Sequence, residues 1–257
     1  MQTSIPSRKL GKLPPRHDRR TLHFANYVRD QLPQPPASCA WSGKVASWPM
    51  MLNDRLGDCA IAGPGHQIEA WTANAGAEFT PTDDQILAAY SAVSGYDPAT
   101  GAGDNGCVEL DVLNYWRANG IAGHKIGAFV ALEPRNHQQV QEGLWLFGGV
   151  YIGLSLPLSA QNQQVWSAPV APWLAHMLPQ YQPGSWGGHA VYVVDYDQRG
   201  LTCVTWGALQ RMTWSFLDTY CDEAWGIVSQ DWIEQSGQAP SGFDLAALTA
   251  DLAELAG

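Results

Sequence analysis

The sequence predicts an α+β fold in which a helical lobe precedes a lobe of antiparallel β-sheet or barrel. Helical patterns occupy the first half of the chain, and short β-type runs bounded by Gly, Pro and Asp occupy the second half. The two kinds of element do not alternate regularly, which argues against a doubly wound sheet. With 257 residues, 46% of them hydrophobic, the chain can bury a substantial core. A cleft between two such lobes is a natural substrate site.

The order of these patterns divides the chain. Residues 1–40 are rich in Pro and basic residues and predict an extended arm over the surface, in which only residues 21–29 favour a short helix. Residues 41–233 form the predicted domain, with the helical lobe at about 41–125 and the β lobe at about 126–233. Apolar spacing and capping residues within this domain predict helices at 58–71, 82–93 and 108–119 and strands at 150–156, 189–196, 201–206 and 224–228.

The last part of the chain, residues 234–257, predicts a linker and an amphipathic helix. After the flexible stretch 236–242, apolar residues recur on one helical face over residues 243–255. This helix either packs back onto the domain or serves as a docking or oligomerisation element. The residues on the apolar face are Leu245, Leu248, Leu252 and Leu255.

Composition excludes several classes of partner. The formal net charge of −10 argues against nucleic-acid binding, which needs clustered Lys and Arg to displace counterions from phosphates. No apolar run approaches the roughly 18 residues that a membrane span requires. The first 13 residues lack the apolar stretch and cleavage site of a secretory signal. These patterns predict a protein without a membrane partner, either cytoplasmic or exported or packaged by a non-classical route.

Cysteine spacing argues against a metal site. The chain has 5 cysteines, so at least one is unpaired within the monomer, and either five thiols or two disulfides with one free thiol fit this count. No CxxC pair occurs, which makes structural zinc an unfavoured interpretation. Residues 101–106 spell G-x-G-x-x-G, but no strand pattern precedes them, so dinucleotide binding is not expected either. The sequence therefore predicts neither a cofactor nor a metal.

Cys59 is the candidate nucleophile because it stands at the start of a predicted helix. A helix N-terminus favours a thiolate, Gly57 allows a tight turn, and Asn53 offers an amide donor nearby. The adjacent carboxylate of Asp58 acts in the opposite direction, since it disfavours a second negative charge. A buried core cysteine without chemistry is the alternative interpretation of Cys59.

His189 is the candidate base. It follows Gly187 and Gly188, which permit the close approach of another chain, and it opens a predicted strand that would fix its imidazole. The alternative is a histidine that only caps a buried strand behind a glycine turn. Together, an early helix-borne Cys59 and a late strand-borne His189 form a layout that is used for nucleophilic catalysis.

Several segments resemble the papain-like cysteine peptidases, in the order that this family has them, from about residue 36 to residue 229. The residues that carry the resemblance are Pro36-Ala-Ser-Cys-Ala-Trp41, Asn53-x5-Cys59, Asp104-Asn-Gly106 followed by Asn114-Tyr-Trp116 and Gly120-Ile121, His189-Ala-Val191, and Thr205-Trp-Gly207. The chain is identified on these residues as similar to a divergent member of that superfamily.

The resemblance implies a two-lobe papain-like fold and assigns roles to residues. Cys59 corresponds to the nucleophile, His189 to the general base, and Asn53 to the glutamine of the oxyanion hole. Val204 stands where the family has the asparagine that orients the histidine. Thr205, one residue on, could take this role only with a change of register, so the orienting role is unfilled in the sequence. The arm before Trp41 is much shorter than the family's inhibitory prodomain, which argues against conventional zymogen control.

The predicted function is a cysteine peptidase-like hydrolase that cleaves peptide or amide bonds through a Cys-His acyl-enzyme. Its expected partner is a peptide or protein substrate, with the arm or the C-terminal helix as a second candidate protein contact. Two alternatives remain open. One is an inactive papain-like scaffold with a binding or structural role, for example in a phage or secreted assembly. The other is an acyltransferase or deamidase that uses the same two residues.

Overall fold

The computed structural model describes residues 8–28, 34–171 and 173–230, together with Ala247 and Ala250. The predicted linker and C-terminal helix lie almost entirely outside the described residues. The helices of the described part are α1 (Cys59–Asn74), α2 (Asp83–Ser94), α3 (Glu109–Asn119), α4 (His137–Phe147), α5 (Leu174–Met177) and α6 (Trp214–Tyr220).

The strands of the described residues form one mixed sheet in the order β2-β8-β3-β5-β6-β7-β4, with β1 paired to β5. All pairs are antiparallel except β4 with β7. The strands are β1 (Cys39–Ala40), β2 (Ile126–Leu132), β3 (Val150–Leu156), β4 (Val165–Trp166), β5 (Gly187–Asp197), β6 (Gly200–Thr205), β7 (Ala208–Thr213) and β8 (Cys221–Ser229). The predicted α+β class with helices first and an antiparallel sheet afterwards is confirmed.

Helix α1 is buried along most of its length because small residues let it approach the sheet. A Cβ on Gly63 would lie 3.0 Å from the ring of Tyr151 on β3, so glycine permits this close spacing without a shift of the ring. Pro64 has no N–H, and the carbonyl of Ala60 one turn earlier therefore lacks its helical partner. The hydroxyl of Tyr151 donates to that carbonyl at 2.9 Å, which compensates for the proline and ties the helix to the sheet.

Three differences from the sequence patterns have physical reasons. The helix predicted at 21–29 is wrong over the described residues, where only the 3₁₀ turn Phe24–Asn26 forms. The second half contains α4, which was not predicted although Val140, Leu144 and Phe147 share one helical face and are buried. Strand β2 was also missed, since its buried run has no alternation to identify it.

The two lobes share a core. Side chains of α1, α2 and α3 pack in one cluster with Tyr151 of β3, Ala190 of β5 and Trp225 of β8. The N-terminus of α1 is thereby held against the middle of the sheet. Of the described residues, which include every cysteine, none forms a disulfide. No helix in the described part is long and apolar enough to cross a bilayer.

Candidate functional site

Cys59 is the first residue of α1 and is buried at the junction of the two lobes. Its Sγ accepts a hydrogen bond of 3.4 Å from the backbone N–H of Ala190, the residue that follows His189 on β5. The backbone of Gly11, from the N-terminal arm, lies near the thiol and acts to lower its pKa. Folding therefore brings the early sulfur against the late strand at the position that the sequence singled out.

His189 is fully buried and its ring is fixed by two neighbours. Nε2 lies 2.6 Å from Oγ1 of Thr205, and the ring stacks on Trp206 with centroids 4.2 Å apart. Nδ1 has no hydrogen-bond partner among the described residues. When Nε2 carries the proton and donates to Thr205, the lone pair of Nδ1 is left free to accept a proton.

The turn after β6 explains how Trp206 reaches the histidine. Thr205 pairs with Ala208, so Trp206 and Gly207 form a two-residue hairpin loop, and their φ angles are +46° and +72°. Positive φ at both positions is the geometry of a type I′ turn, which suits Gly207 but is unfavourable for tryptophan. The indole stacks on His189 and its Nε1 donates to the carbonyl of Lys9 at 3.1 Å, so this backbone conformation is held by contacts at the site.

Thr205, not Val204, contacts the ring nitrogen of His189. Alignment of Trp206 with the family motif places Val204, two residues earlier, at the position of the orienting asparagine. In the structure Val204 packs with Tyr192 and Val194 in an apolar cluster. Side chains alternate along a strand, so Thr205 points to the other side and its hydroxyl meets His189. In the sequence, Thr205 is recognisable only as the hydroxyl-bearing residue that directly follows Val204 on the same strand.

Asn53, the predicted oxyanion donor, uses its amide within its own loop. Nδ2 donates to Oδ1 of Asp58 at 3.1 Å and to the carbonyl of Leu56 at 3.2 Å. Both amide hydrogens are thus engaged. Burial raises the pKa of Asp58 to about 8, despite the hydrogen bond from Asn53 that lowers it. Asn53 and a neutral Asp58 together stiffen the turn that precedes Cys59.

Cys59 and His189 are both uncharged near neutral pH. Burial raises the pKa of the Cys59 thiol to about 12, and the nearby carboxyl of Asp58 adds to the increase. Burial also lowers the pKa of His189 to about 3, and the positive charge of Arg8 contributes to the decrease. Near neutral pH the structure therefore holds a thiol and a neutral imidazole.

The arm crosses the site through residues 9–13, which we call the occluding segment. Lys12 N–H donates to the carbonyl of Gly188 at 3.1 Å. On the opposite side, Cys107 N–H donates to the carbonyl of Gly11, and Leu13 N–H donates to the carbonyl of Cys107, both at 2.9 Å. Here the arm does not lie over the outer surface, as the sequence indicated, but inside the cleft.

Glycines border the occluding segment. A Cβ on Gly11 would overlap the carbonyl oxygen of Gly57, and one on Gly106 would overlap the carbonyl oxygen of Gly11. A Cβ on Gly188 would likewise overlap the carbonyl oxygen of Lys12. The close approach expected at Gly188 is therefore observed, and the approaching segment is this chain's own arm. Within the described residues, no cluster of His, Cys, Asp and Glu is arranged to hold a metal.

Comparison with known proteins identifies the fold. No protein-family model matches the sequence. No curated protein sequence matches it either. Among solved structures, xylellain, a cysteine protease from Xylella fastidiosa, matches 88% of this chain and 99% of its own with 16% identity and a TM-score of 0.62.

Two further structures agree. The cysteine protease and lectin-like domains of a surface layer associated protein of Clostridium difficile match 90% of this chain and 58% of theirs, with 11% identity and a TM-score of 0.60. A cysteine protease of Carica candamarcensis in complex with E-64 matches 75% of this chain and 98% of its own, with 15% identity and a TM-score of 0.52. The chain therefore has the papain-like fold, as a divergent example of it.

Proposed function

We propose that this chain is a thiol hydrolase that cleaves peptide or amide bonds, and that its own arm holds the site closed. The observation that carries the proposal is the hydrogen bond between Cys59 Sγ and the N–H of Ala190, directly after His189. A nucleophile on a helix N-terminus and a base on a neighbouring strand then share one buried site.

The first step is attack on the substrate carbonyl. His189 Nδ1 takes the thiol proton as the sulfur of Cys59 bonds to the carbonyl carbon, and the carbonyl π electrons move to its oxygen. Thr205 accepts from Nε2–H throughout, which keeps the ring in the tautomer that has a basic Nδ1. Trp206 covers one ring face and limits rotation of the imidazole.

The developing oxyanion needs donors that already point at it. The backbone N–H of Cys59 belongs to the first turn of α1, where no helical carbonyl is available to it, and the helix dipole favours negative charge there. Asn53 can add a second donor only by releasing Asp58 or Leu56.

Collapse of the intermediate forms the acyl-enzyme. His189 returns the proton to the leaving amine, the C–N bond breaks, and the acyl group stays on Cys59 as a thioester. Water then attacks the thioester with His189 as base, and the thiol and the carboxylic acid are released. The same thioester would serve acyl transfer if an amine or alcohol replaced water.

The occluding segment accounts for the neutral state of the pair. Residues 9–13 exclude water from Cys59 and His189, and burial is the largest cause of both pKa shifts. When the segment leaves, water enters, the pKa of the thiol falls and the pKa of the imidazole rises. Both changes favour proton transfer from Cys59 to His189. Release of the arm is thus the activating step.

Gly11→Ala tests this proposal in the full chain. A methyl group at position 11 collides with the carbonyl oxygen of Gly57, which weakens binding of the segment while Cys59 and His189 are unchanged. Gly43→Ala is the matched control, since no atom lies within 4 Å of the added methyl group. We expect labelling of Cys59 by iodoacetamide near pH 7, mapped by peptide mass, to rise at least about tenfold in Gly11→Ala alone.

Two results decide between the alternatives. The hydrolase is supported if the double variant Gly11→Ala/His189→Ala loses the faster labelling of Cys59 and if Gly11→Ala cleaves members of a peptide library. Slow labelling and no cleavage, in a variant whose arm amides exchange hydrogen rapidly, would contradict it and would favour the inactive scaffold.

A further inference from the structure

Lys12 is buried beside the candidate nucleophile, which is an unusual place for a lysine. Its side chain is 1% exposed, and Nζ lies 2.8 Å from Oδ1 of Asp222 and 3.0 Å from Oε1 of Glu223. Its backbone follows Gly11, which lies near the Cys59 thiol. The lysine therefore belongs to the stretch of the arm that passes the candidate nucleophile.

Three carboxyl groups surround this ammonium, and we call Glu109, Asp222 and Glu223 the acidic pocket. Although burial lowers the pKa of Lys12, the negative charges of these three residues raise it above its ordinary value. Burial raises the pKa of Glu109 and of Glu223, and the positive charge of Lys12 opposes both increases. The pocket therefore holds its carboxyl groups at a cost that a bound ammonium reduces.

Two of the carboxylates are held in position by residues outside the arm. Ser155 donates to Oδ2 of Asp222 at 2.8 Å, and the indole N–H of Trp225 donates to Oε2 of Glu223 at 3.2 Å. These contacts do not involve Lys12. Asp222 and Glu223, both on β8, are therefore held in place by the sheet itself, and the arm inserts a lysine beside them.

Glu109 gives independent evidence that the pocket is built for a cation. It is the first residue of α3 and has no exposed surface. No described residue donates a hydrogen bond of normal geometry to either of its carboxylate oxygens. A buried carboxyl group without partners is costly, and the nearby ammonium of Lys12 favours its charged form.

We propose that the acidic pocket selects a lysine side chain of the peptide substrate, and that Lys12 imitates that side chain while the arm is in place. This inference rests on the proposed hydrolase function, whose substrate class it specifies. A peptide that replaces the arm in the cleft follows the same glycine-bordered path past Cys107 and presents a side chain at the same point.

The shape of the pocket favours lysine. A Cβ on Gly153 of β3 would overlap Cε of Lys12, so this glycine makes room for a slender methylene stem. A compact ammonium with three donors suits several oxygens around one point, whereas a planar guanidinium needs a wider opening. A neutral side chain would leave the buried carboxyl groups of Glu109 and Glu223 without a counter-charge.

Peptide binding tests the pocket without any chemistry. The probe is a capped peptide with the sequence of residues 10–14, Leu-Gly-Lys-Leu-Pro, and its counterpart has methionine in place of lysine. Both are titrated calorimetrically into the full-length Gly11→Ala, Cys59→Ala variant. We expect the lysine peptide to bind at least about tenfold more tightly, and Glu223→Gln to remove this difference. Equal binding of the two peptides would overturn the proposal.

Hydrolysis tests whether the pocket selects substrate. A peptide library in which lysine is placed at each position in turn is offered to Gly11→Ala, and cleavage is followed by mass spectrometry. We expect one position relative to the cleaved bond at which a peptide with lysine is cleaved about tenfold faster than a peptide with methionine. Asp84→Asn, which neutralises an exposed carboxylate on α2, is the control that keeps the preference, and Glu223→Gln loses it.

The two measurements separate the two proposals. Cleavage without a lysine preference overturns the substrate inference and leaves the hydrolase standing. Lysine-dependent binding without any cleavage contradicts the hydrolase and restricts the pocket to anchoring the arm, which also overturns substrate selection. Lysine preference in both measurements supports the inference.

Discussion

Trp206 lies almost parallel to His189, with 10° between the ring planes and 4.2 Å between the centroids. This contact joins a strained hairpin turn to the candidate base, because the indole reaches the imidazole from a residue with positive φ. It shields one ring face from water. Trp186 and Trp166 pack on Trp206 in turn, so the shield is supported from behind.

Replacement of Trp206 by alanine should expose the imidazole. We expect the pKa of His189, now about 3 mainly because of burial, to rise towards its ordinary value as water enters. The measurement is an NMR titration of the His189 ring proton. Trp206→Phe is the control, since it keeps a stacked ring and loses only the hydrogen bond to Lys9. An unchanged titration in Trp206→Ala would contradict the shielding role.

Replacement of Thr205 by valine removes a hydroxyl while keeping the shape. His189 Nε2 then has no partner in a buried position, so the free energy of unfolding should fall by about 1–3 kcal/mol. Peptide hydrolysis by Gly11→Ala should fall by about 10-fold to 100-fold because the tautomer is no longer fixed. Thr205→Ser should restore most of both values. Equal activity of the valine and serine variants would show that Thr205 does not position His189.

The reactivity of Cys59 should depend steeply on pH in the closed chain. Only the thiolate reacts, and the pKa of Cys59 is raised to about 12 mainly by burial. The alkylation rate of Cys59 should therefore rise about tenfold for each pH unit between pH 7 and pH 10. In Gly11→Ala the rate should level off at a lower pH. Identical pH profiles for the two proteins would show that the arm does not raise the pKa of the Cys59 thiol.

Asp58 should make stability decline as pH rises. Burial raises its pKa to about 8, so between its ordinary value and pH 8 the folded protein holds a proton that the unfolded chain has released. The stabilisation is complete at low pH and is lost as pH rises through the folded pKa. Relative to Asp58→Asn, the free energy of unfolding should fall by up to about 1.4 kcal/mol per pH unit.

Urea unfolding of both proteins at several pH values between 5 and 8 measures this slope. Asparagine keeps an acceptor for the amide of Asn53, so the variant differs mainly in its proton. Glu69, whose pKa burial raises to about 7, is present in both chains, and its contribution cancels in the difference. Parallel curves would mean that Asp58 is ionised in the folded state.

The sequence was sufficient for the fold class and for the approach of Cys59 to the strand that carries His189. Cys59 and His189 were identifiable because each stands at the beginning of a strongly patterned element, after glycines that mark a turn. Helices α1, α2 and α3 begin and end within three residues of their predicted limits, since capping residues and apolar spacing agree there.

The remaining features depend on contacts between distant segments. Thr205 could not be separated from Val204 by motif alone, because one step along a strand reverses the face that a side chain occupies. The hydrogen bond from Asn53 to Asp58 depends on the conformation of the turn between them, which the spacing of residues in the sequence does not specify. The arm binds the cleft mostly through backbone hydrogen bonds, which residues of any type can form. Only the identities of Gly11 and Lys12 could therefore indicate from the sequence where the arm lies.

The glycines along that path impose a shared constraint on the molecule. Any side chain at position 106 or 188 would overlap the backbone of the arm and, equally, that of a peptide that lies where the arm lies. In the proposed hydrolase, a change at either glycine that releases the arm would therefore also damage substrate recognition. Proteolysis or displacement of residues 9–13 would open the site and leave the cleft wall unchanged, so that the timing of activity could be set independently of its selectivity.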